Sequence, residues 1–222
     1  MTIVGFDTST AATSACVLRS DGEHFEHVPP ADRLRQAPGH SRELLPAVEE
    51  LMERAGVGWG DVDAVAVGVG PGGFTGLRIG VATARALATA ARLPVHPVSS
   101  LAALAAGIEE PLALPLIDAR RGELFGALYE GGEQVVAPFT ARPELLPERL
   151  GRELAGAVAA GDGSLKFRDI LEAAGVRVPP DESGLHVVRA LNVCRLAEQV
   201  PAERPEAVLP TYIRDPDAEP SQ

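Results

Sequence analysis

Asp7 and Asp118 each close a strand-length apolar run, the position from which acids in α/β folds reach a metal ion or a water molecule. An aspartate there also caps the turn that follows it, and both readings stand. Gly68, Gly70 and Gly73 fit GxGxxG between an apolar run and a helical pattern, where free backbone N–H groups at a helix start attract anions. Glycines at such a place equally permit a tight packing turn or a partner contact. A dinucleotide site wants an acid roughly 20 residues further on, but no Asp or Glu stands between Asp63 and Glu109. A P-loop needs a lysine after its glycines, and the single lysine is Lys166. His40 has Leu44 one turn on, and His24, His27, His96 and His186 show no ligand spacing, so no metal site is predicted. Ser9, Ser14, Cys16 and Cys194 lack a GxSxG elbow and recognisable His and acid companions, which leaves hydrolase chemistry without support.

The helix after the glycine loop carries a second pattern. Gly76, Gly80, Ala84 and Ala88 recur every fourth residue and form a smooth stripe on which another helix can lie close, inside the domain or across a subunit boundary. Arg78, Arg85 and Arg92 recur every seventh, about 20° apart around the axis at each step, and give that helix a positive edge.

Those residues sit in an acidic chain. Its 222 residues carry 31 acids against 20 bases, a net charge of -11, with 45% hydrophobic residues. This is a globular composition that disfavours nonspecific polyanion binding. Two cysteines are too few for a disulfide scaffold. No leader pattern opens the sequence, and no long uncharged apolar stretch interrupts it, so a cytoplasmic protein without membrane contact is expected.

Three antiparallel strands are predicted at 2–6, 14–19 and 24–28, followed by a helix whose apolar positions run from Leu44 to Ala55. A buried strand at 64–69 enters the glycine loop, a helix extends to about Ala91, and a strand at 95–98 meets Ser99-Ser100 as a helix cap. From Pro111 the order echoes itself, with strands at 112–117, 123–129 and 134–137 and helices at 143–153, 164–174 and 186–198. The expectation is a first lobe at 1–106, completed by 185–222, and a smaller second lobe at 107–184.

Asp7-Thr8-Ser9-Thr10, the run from Gly70 to Gly80, Asp118-Ala119-Arg120-Arg121-Gly122-Glu123 with Phe125, and Tyr212-Ile213-Arg214 together resemble the bacterial TsaB family, also called YeaZ, along nearly the whole chain. The resemblance implies an actin-like, ribonuclease H-like α/β fold with two βββαβα-type lobes, the second reduced. It implies a role in placing threonylcarbamoyladenosine beside the anticodon of tRNAs that read codons beginning with A. In that system the paralogue TsaD holds the metal, partly through a HxxxH pair, and carries out the transfer. His40 with Leu44 keeps only the first histidine of that pair. The chain is thus expected to be noncatalytic, without a metal or cofactor of its own, with TsaD and TsaE as partners, a homodimer when alone, and tRNA reached through the complex.

Within that resemblance, Gly76, Gly80, Ala84 and Ala88 with Arg78 and Arg85 are the expected docking face, for TsaD or a second copy. The loop of Asp7, Gly70, Gly72, Gly73 and Thr75 is the expected anion or nucleotide-proximal site. Gly73 stands where many relatives carry Ser, and the short second lobe offers little wall for a nucleotide, so productive ATP binding by the isolated chain is not expected; the complex interface leaves room for ATP or ADP. The rival expectations are an independent actin-fold kinase or ATPase, a peptidase, and a structural homodimer without a catalytic partner.

Overall fold

The computed structural model describes residues 1–213, with the backbone alone at 152 and 153. The first apolar run forms β1 (Ile3–Asp7), buried along its length. It pairs antiparallel with β2 (Ser14–Leu18) and parallel with β4 (Ala64–Gly70). With β3 (His24–His27) and β5 (Val95–Ser99) the sheet runs β3-β2-β1-β4-β5. Alternation along β1 sends Val4 and Phe6 to α1 (His40–Ala55) and α2 (Phe74–Ala91), and Ile3 to the opposite face. Gly56 ends α1 in a left-handed conformation at φ 65°, as its missing Cβ allows. Arg92 ends α2 in the same conformation at φ 59°, so this arginine lies beyond the helix and breaks the expected edge of three.

The second sheet repeats the pattern. β6 (Leu112–Arg120), β7 (Glu123–Glu130), β8 (Glu133–Ala141) and β9 (Val158–Ala160) lie in the order β8-β7-β6-β9, with β6 parallel to β9 and antiparallel to β7. Beyond β9, where the first sheet places β5, the chain makes one parallel bridge at Arg177. Ala159 N donates to Arg177 O at 2.9 Å, and Arg177 N donates to Ala157 O at 2.9 Å.

Five layers result. α1 and α2 cover the outer face of the first sheet. α3 (Ser100–Ala105) and α7 (Ala190–Ala197) lie between the sheets in a shared core that includes Ile3, Cys16, Leu101, Leu104, Ile117 and Phe125. α4 (Leu146–Leu150), α5 (Asp162–Lys166) and α6 (Arg168–Ala173) belong to the second lobe, and Leu146, Leu150 and Leu171 cover its outer face. Although α7 follows the second lobe in the chain, it packs on β1 and β2. Gly5 makes this close: a Cβ there would stand 2.4 Å from the Cys194 sulfur. The segment after α7 stays on the first lobe, with Glu203 bridged to Val95 and Thr211 N donating to Val69 O at 2.7 Å. Arg214, part of the late motif, lies outside the described residues.

Several elements differ from expectation for local reasons. β8 runs through Pro138, because an edge strand needs no ladder hydrogen bond from its outward side. The helix expected at 143–153 is one α turn between two 3-10 turns, and that at 164–174 divides at Phe167. The last helix starts at Ala190, where Glu26 accepts from Leu191 N at 3.0 Å, and a 3-10 turn at Gly184–His186 precedes it. β9 has no counterpart in the expectation, since three residues of valine and alanine carry no period.

Candidate functional site: the cleft between the lobes and the outer edge of α2

Asp7 is the last residue of β1 and is 1% exposed. Its Oδ1 accepts from Ser9 N at 2.8 Å and Ser9 Oγ at 2.6 Å, and its Oδ2 accepts from Ser100 Oγ at 2.6 Å. Gly68 lies against the same carboxyl, since a Cβ there would stand 1.8 Å from Oδ2. Burial pushes the Asp7 carboxyl up, against the serine hydrogen bonds. Both oxygens are therefore occupied by the lobe that carries them.

Asp118 occupies the corresponding place in the second lobe, inside β6 at the bulge before Arg120. Lys166 Nζ donates to its two oxygens at 2.9 and 3.0 Å, and Arg120 Nη1 to Oδ2 at 3.2 Å. Asp118 N in turn donates to Asp162 Oδ1 at 3.0 Å. The Asp162 carboxyl is pushed up to about 6, first by burial, with the Asp118 charge adding. The lone lysine thus neutralises one carboxylate of a close acidic pair. Among the described residues, no group of three or more His, Cys, Asp or Glu could hold a metal ion.

His40, the first residue of α1, is 4% exposed, and burial holds its imidazole below the ordinary histidine range. Its Nδ1 lies 2.8 Å from Thr13 Oγ1, which donates to Glu43 Oε2 at 3.0 Å. Leu44, in the place of a second ligand, is 1% exposed in the core.

The glycine loop packs onto the Asp7-Thr8-Ser9-Thr10 turn. A Cβ at Gly72 would stand 2.4 Å from Ser9 O, one at Gly76 2.1 Å from Thr8 O, and one at Gly80 2.3 Å from Thr8 Oγ1. Gly73 N donates to Ser9 O at 2.6 Å, and Thr8 Oγ1 donates to Gly76 O at 2.8 Å. The stripe of Gly76, Gly80, Ala84 and Ala88 is consequently buried against its own lobe. As a docking face it is corrected: no partner helix can reach it in the folded chain. Helical spacing makes the stripe; Thr8, 68 residues away from Gly76, fills its glycine half, and Ala84 and Ala88 join the core under the first sheet.

The exposed edge of α2 carries a different constellation. Phe74 and Tyr212 are 45% and 39% exposed, with ring centroids 5.6 Å apart. The Arg78 guanidinium carbon lies 3.8 Å from the centre of the Phe74 ring, and Arg78 Nε donates to Tyr212 Oη at 3.3 Å. Arg78 and both motifs are visible in the sequence, but no local pattern joins Phe74 to Tyr212, which lies far along the chain. One available signal was scarcity: two of only nine aromatic residues, six Phe, two Tyr and one Trp, fall in exposed motifs. Arg85 on the same helix is half-buried.

Between the lobes, Ser9, His40, Gly73, Thr75, Asp118 and Asp162 line a cavity of about 510 Å³. Of the expected anion loop, Gly73 and Thr75 reach this space, whereas Asp7, Gly70 and Gly72 do not line it. Ser164 and His186 come within 3.2 Å of each other, a nucleophile and base spacing, but both are 0% exposed and His186 Nε2 faces the carbonyls of Pro179 and Pro180.

Two α/β lobes with one repeated strand order, joined through a common helical layer and open to each other at the ends of their first strands, define an actin-like protein. Residues 35–144 match the family described as TsaD, tRNA N6-adenosine threonylcarbamoyltransferase. The tRNA threonylcarbamoyladenosine biosynthesis protein TsaB of Escherichia coli is 31% identical, over 97% of this chain and 95% of that protein. Its Bacillus subtilis counterpart is 30% identical over 99% and 96%. A crystal structure from Pseudomonas aeruginosa, described as similar to peptidase YEAZ, superposes with a TM-score of 0.78 at 31% identity, over 96% of this chain and 99% of that one. The chain belongs to the TsaB family.

Proposed function

We propose that this chain is the noncatalytic partner of a TsaD-type transferase in placing threonylcarbamoyl on the adenosine beside the anticodon of tRNAs that read codons beginning with A. The observation that carries the noncatalytic reading is the occupancy of the two strand-end acids: Asp7 is satisfied by two serines, and Asp118 by Lys166 and Arg120. A phosphoryl-transfer enzyme of this architecture needs carboxylates free for magnesium or for a base. The buried Ser164 and His186 pair likewise argues against a peptidase. The full-length similarity to proteins named for this biosynthesis supplies the pathway.

Docking takes place on the outward edge of α2, where Phe74, Arg78 and Tyr212 form an aromatic and arginine cluster of the composition that dominates binding energy at interfaces. The same edge serves a homodimer when the transferase is absent. TsaE joins the assembly, ATP or ADP sits at the shared interface, and the acidic chain meets tRNA through its partner. The deciding experiment is threonylcarbamoyl transfer by the cognate TsaD, with adenylate and TsaE supplied, in the presence and absence of this protein. Product is expected only in its presence, with no ATP hydrolysis by the protein alone. Phe74→Ala with Arg78→Ala is expected to weaken TsaD binding by about 30-fold or more in a folded chain. Transfer at an equal rate without this protein overturns the reading.

A further inference from the structure

The segment between β3 and α1 has one short element, the 3-10 turn Ala31–Arg35, yet it reaches across to the second lobe before returning to α1. Leu34, 8% exposed, packs in a small apolar cluster with Ala12 and Val187 of its own lobe and with the half-buried Leu165 beyond the cleft. Beside it, the Arg35 guanidinium pairs with Asp181. Asp181 is already fixed on its own side by Arg168, whose Nε donates to it at 3.1 Å and whose Nη2 donates at 2.6 Å. Arg168 is anchored in turn by Val178 O at 3.0 Å and Glu172 Oε1 at 2.9 Å. At the root of the segment, Arg33 Nη2 donates to Glu43 Oε1 at 2.8 Å and Arg33 Nη1 donates to Ala37 O at 2.8 Å. The crossing therefore has a fixed root, a fixed receiver, and between them one apolar plug and one ion pair.

The same segment walls the cleft. Leu34, Arg35 and Gln36 face Asp118, Asp162 and Lys166 across one part of it, and Pro38 lines the neighbouring part. We propose that residues 29–39 form a latch over the inter-lobe cleft, held shut by Leu34 and by the Arg35 and Asp181 pair, and that its release exposes the cleft wall while both sheets stay folded. Arg35 and Asp181 are 57% and 45% exposed at their side chains, so the pair alone is a weak catch. Leu34 supplies most of the closing force. The latch belongs to the cleft and is independent of which protein docks on α2.

Hydrogen exchange on the full chain tests this. The reporter is the Asp118 amide, whose acceptor is Asp162 Oδ1 under the latch, compared with amides of the β1 and β2 ladder as the reference for global opening. Arg35→Ala is expected to speed exchange at Asp118 and across 31–39 by about two- to fivefold, Leu34→Ala by more than tenfold, and Arg35→Lys by less than Arg35→Ala. The ladder amides are expected to hold their wild-type rates in Arg35→Ala. Unchanged exchange at Asp118 and 31–39 in Arg35→Ala, or acceleration shared equally by the ladder, overturns the proposal, and that variant decides the matter if Leu34→Ala does not fold.

Discussion

The two lobes solve one topological problem in opposite ways. Each places an aspartate near the end of its first strand, a strand with one parallel neighbour. In the first lobe that acid is sealed under Gly68 and bonded by neutral hydroxyls. In the second it is held by cations that remain in contact with water, Lys166 at 43% side-chain exposure and Arg120 at 71%. The outer layers differ in step: a five-stranded sheet under helices of 16 and 18 residues in the first lobe, and a four-stranded sheet under helices of five and six residues in the second. The first lobe keeps its strand-end carboxyl among neutral donors, whereas the second keeps its own beside compensating charge. Substitutions in the two lobes should therefore differ in magnitude.

The largest effect is expected where the first lobe is packed closest. Gly76→Ala would set a methyl 2.1 Å from Thr8 O, a backbone atom of the buried turn that cannot swing aside. We expect a loss of about 3 kcal/mol or more in urea unfolding, and Gly80→Leu should fail to give a stable fold at all. A Gly76→Ala protein of wild-type stability would show that the turn is looser than its geometry.

A matched pair of truncations sharpens the contrast. Asp7→Ala removes the acceptor from two buried serine hydroxyls and a backbone N–H, and should cost about 3 kcal/mol. Asp118→Ala releases two cations that water can solvate, so about 1 kcal/mol is expected. Much of the second cost lies in the turn, where Asp118 Oδ1 accepts from Arg120 N at 2.9 Å and Arg120 and Arg121 hold φ of 65° and 53°. Equal losses in both variants would break the distinction between the lobes.

Much of this comparison was legible in the sequence, because apolar alternation and the recurring order of strand, acid and hairpin are local patterns. The run from Gly70 to Gly80 was legible as a close-packing element. The direction it packs was not, since that depends on Thr8, far away in the chain. The same limit applies to Tyr212, whose bond to Arg78 spans 134 residues, and to α7, which crosses back onto the first sheet. β9 and the bridge at Arg177 are held by tertiary hydrogen bonds around alanine-rich sequence, so no local period announces them. For Asp118 the sequence supplied the acid and the lone lysine but not their contact, which joins residues 48 apart.

The smallest expected effect is in pH dependence, and it isolates the second lobe. The Asp162 carboxyl is raised from 3.8 in the unfolded chain to about 6 in the folded one, so between those values the folded state holds more protons than the unfolded state. Stability then falls as pH rises through that window and levels off above it. Asp162 retains partial contact with the cleft, which screens the effect to about 1 kcal/mol. Asp162→Asn keeps the Oδ1 acceptor for Asp118 N and removes the ionisation. It should match the wild type near pH 4 and exceed it by about 1 kcal/mol at pH 7, measured as urea midpoints across the range. Burial also raises the Asp7 carboxyl and lowers the His40 and His186 imidazoles; these groups titrate alike in both proteins, so the difference between the two curves, and not either slope, isolates Asp162. A constant difference between the two proteins at every pH would mean that Asp162 is ionised equally in both states, and the close pairing with Asp118 would then carry no electrostatic strain.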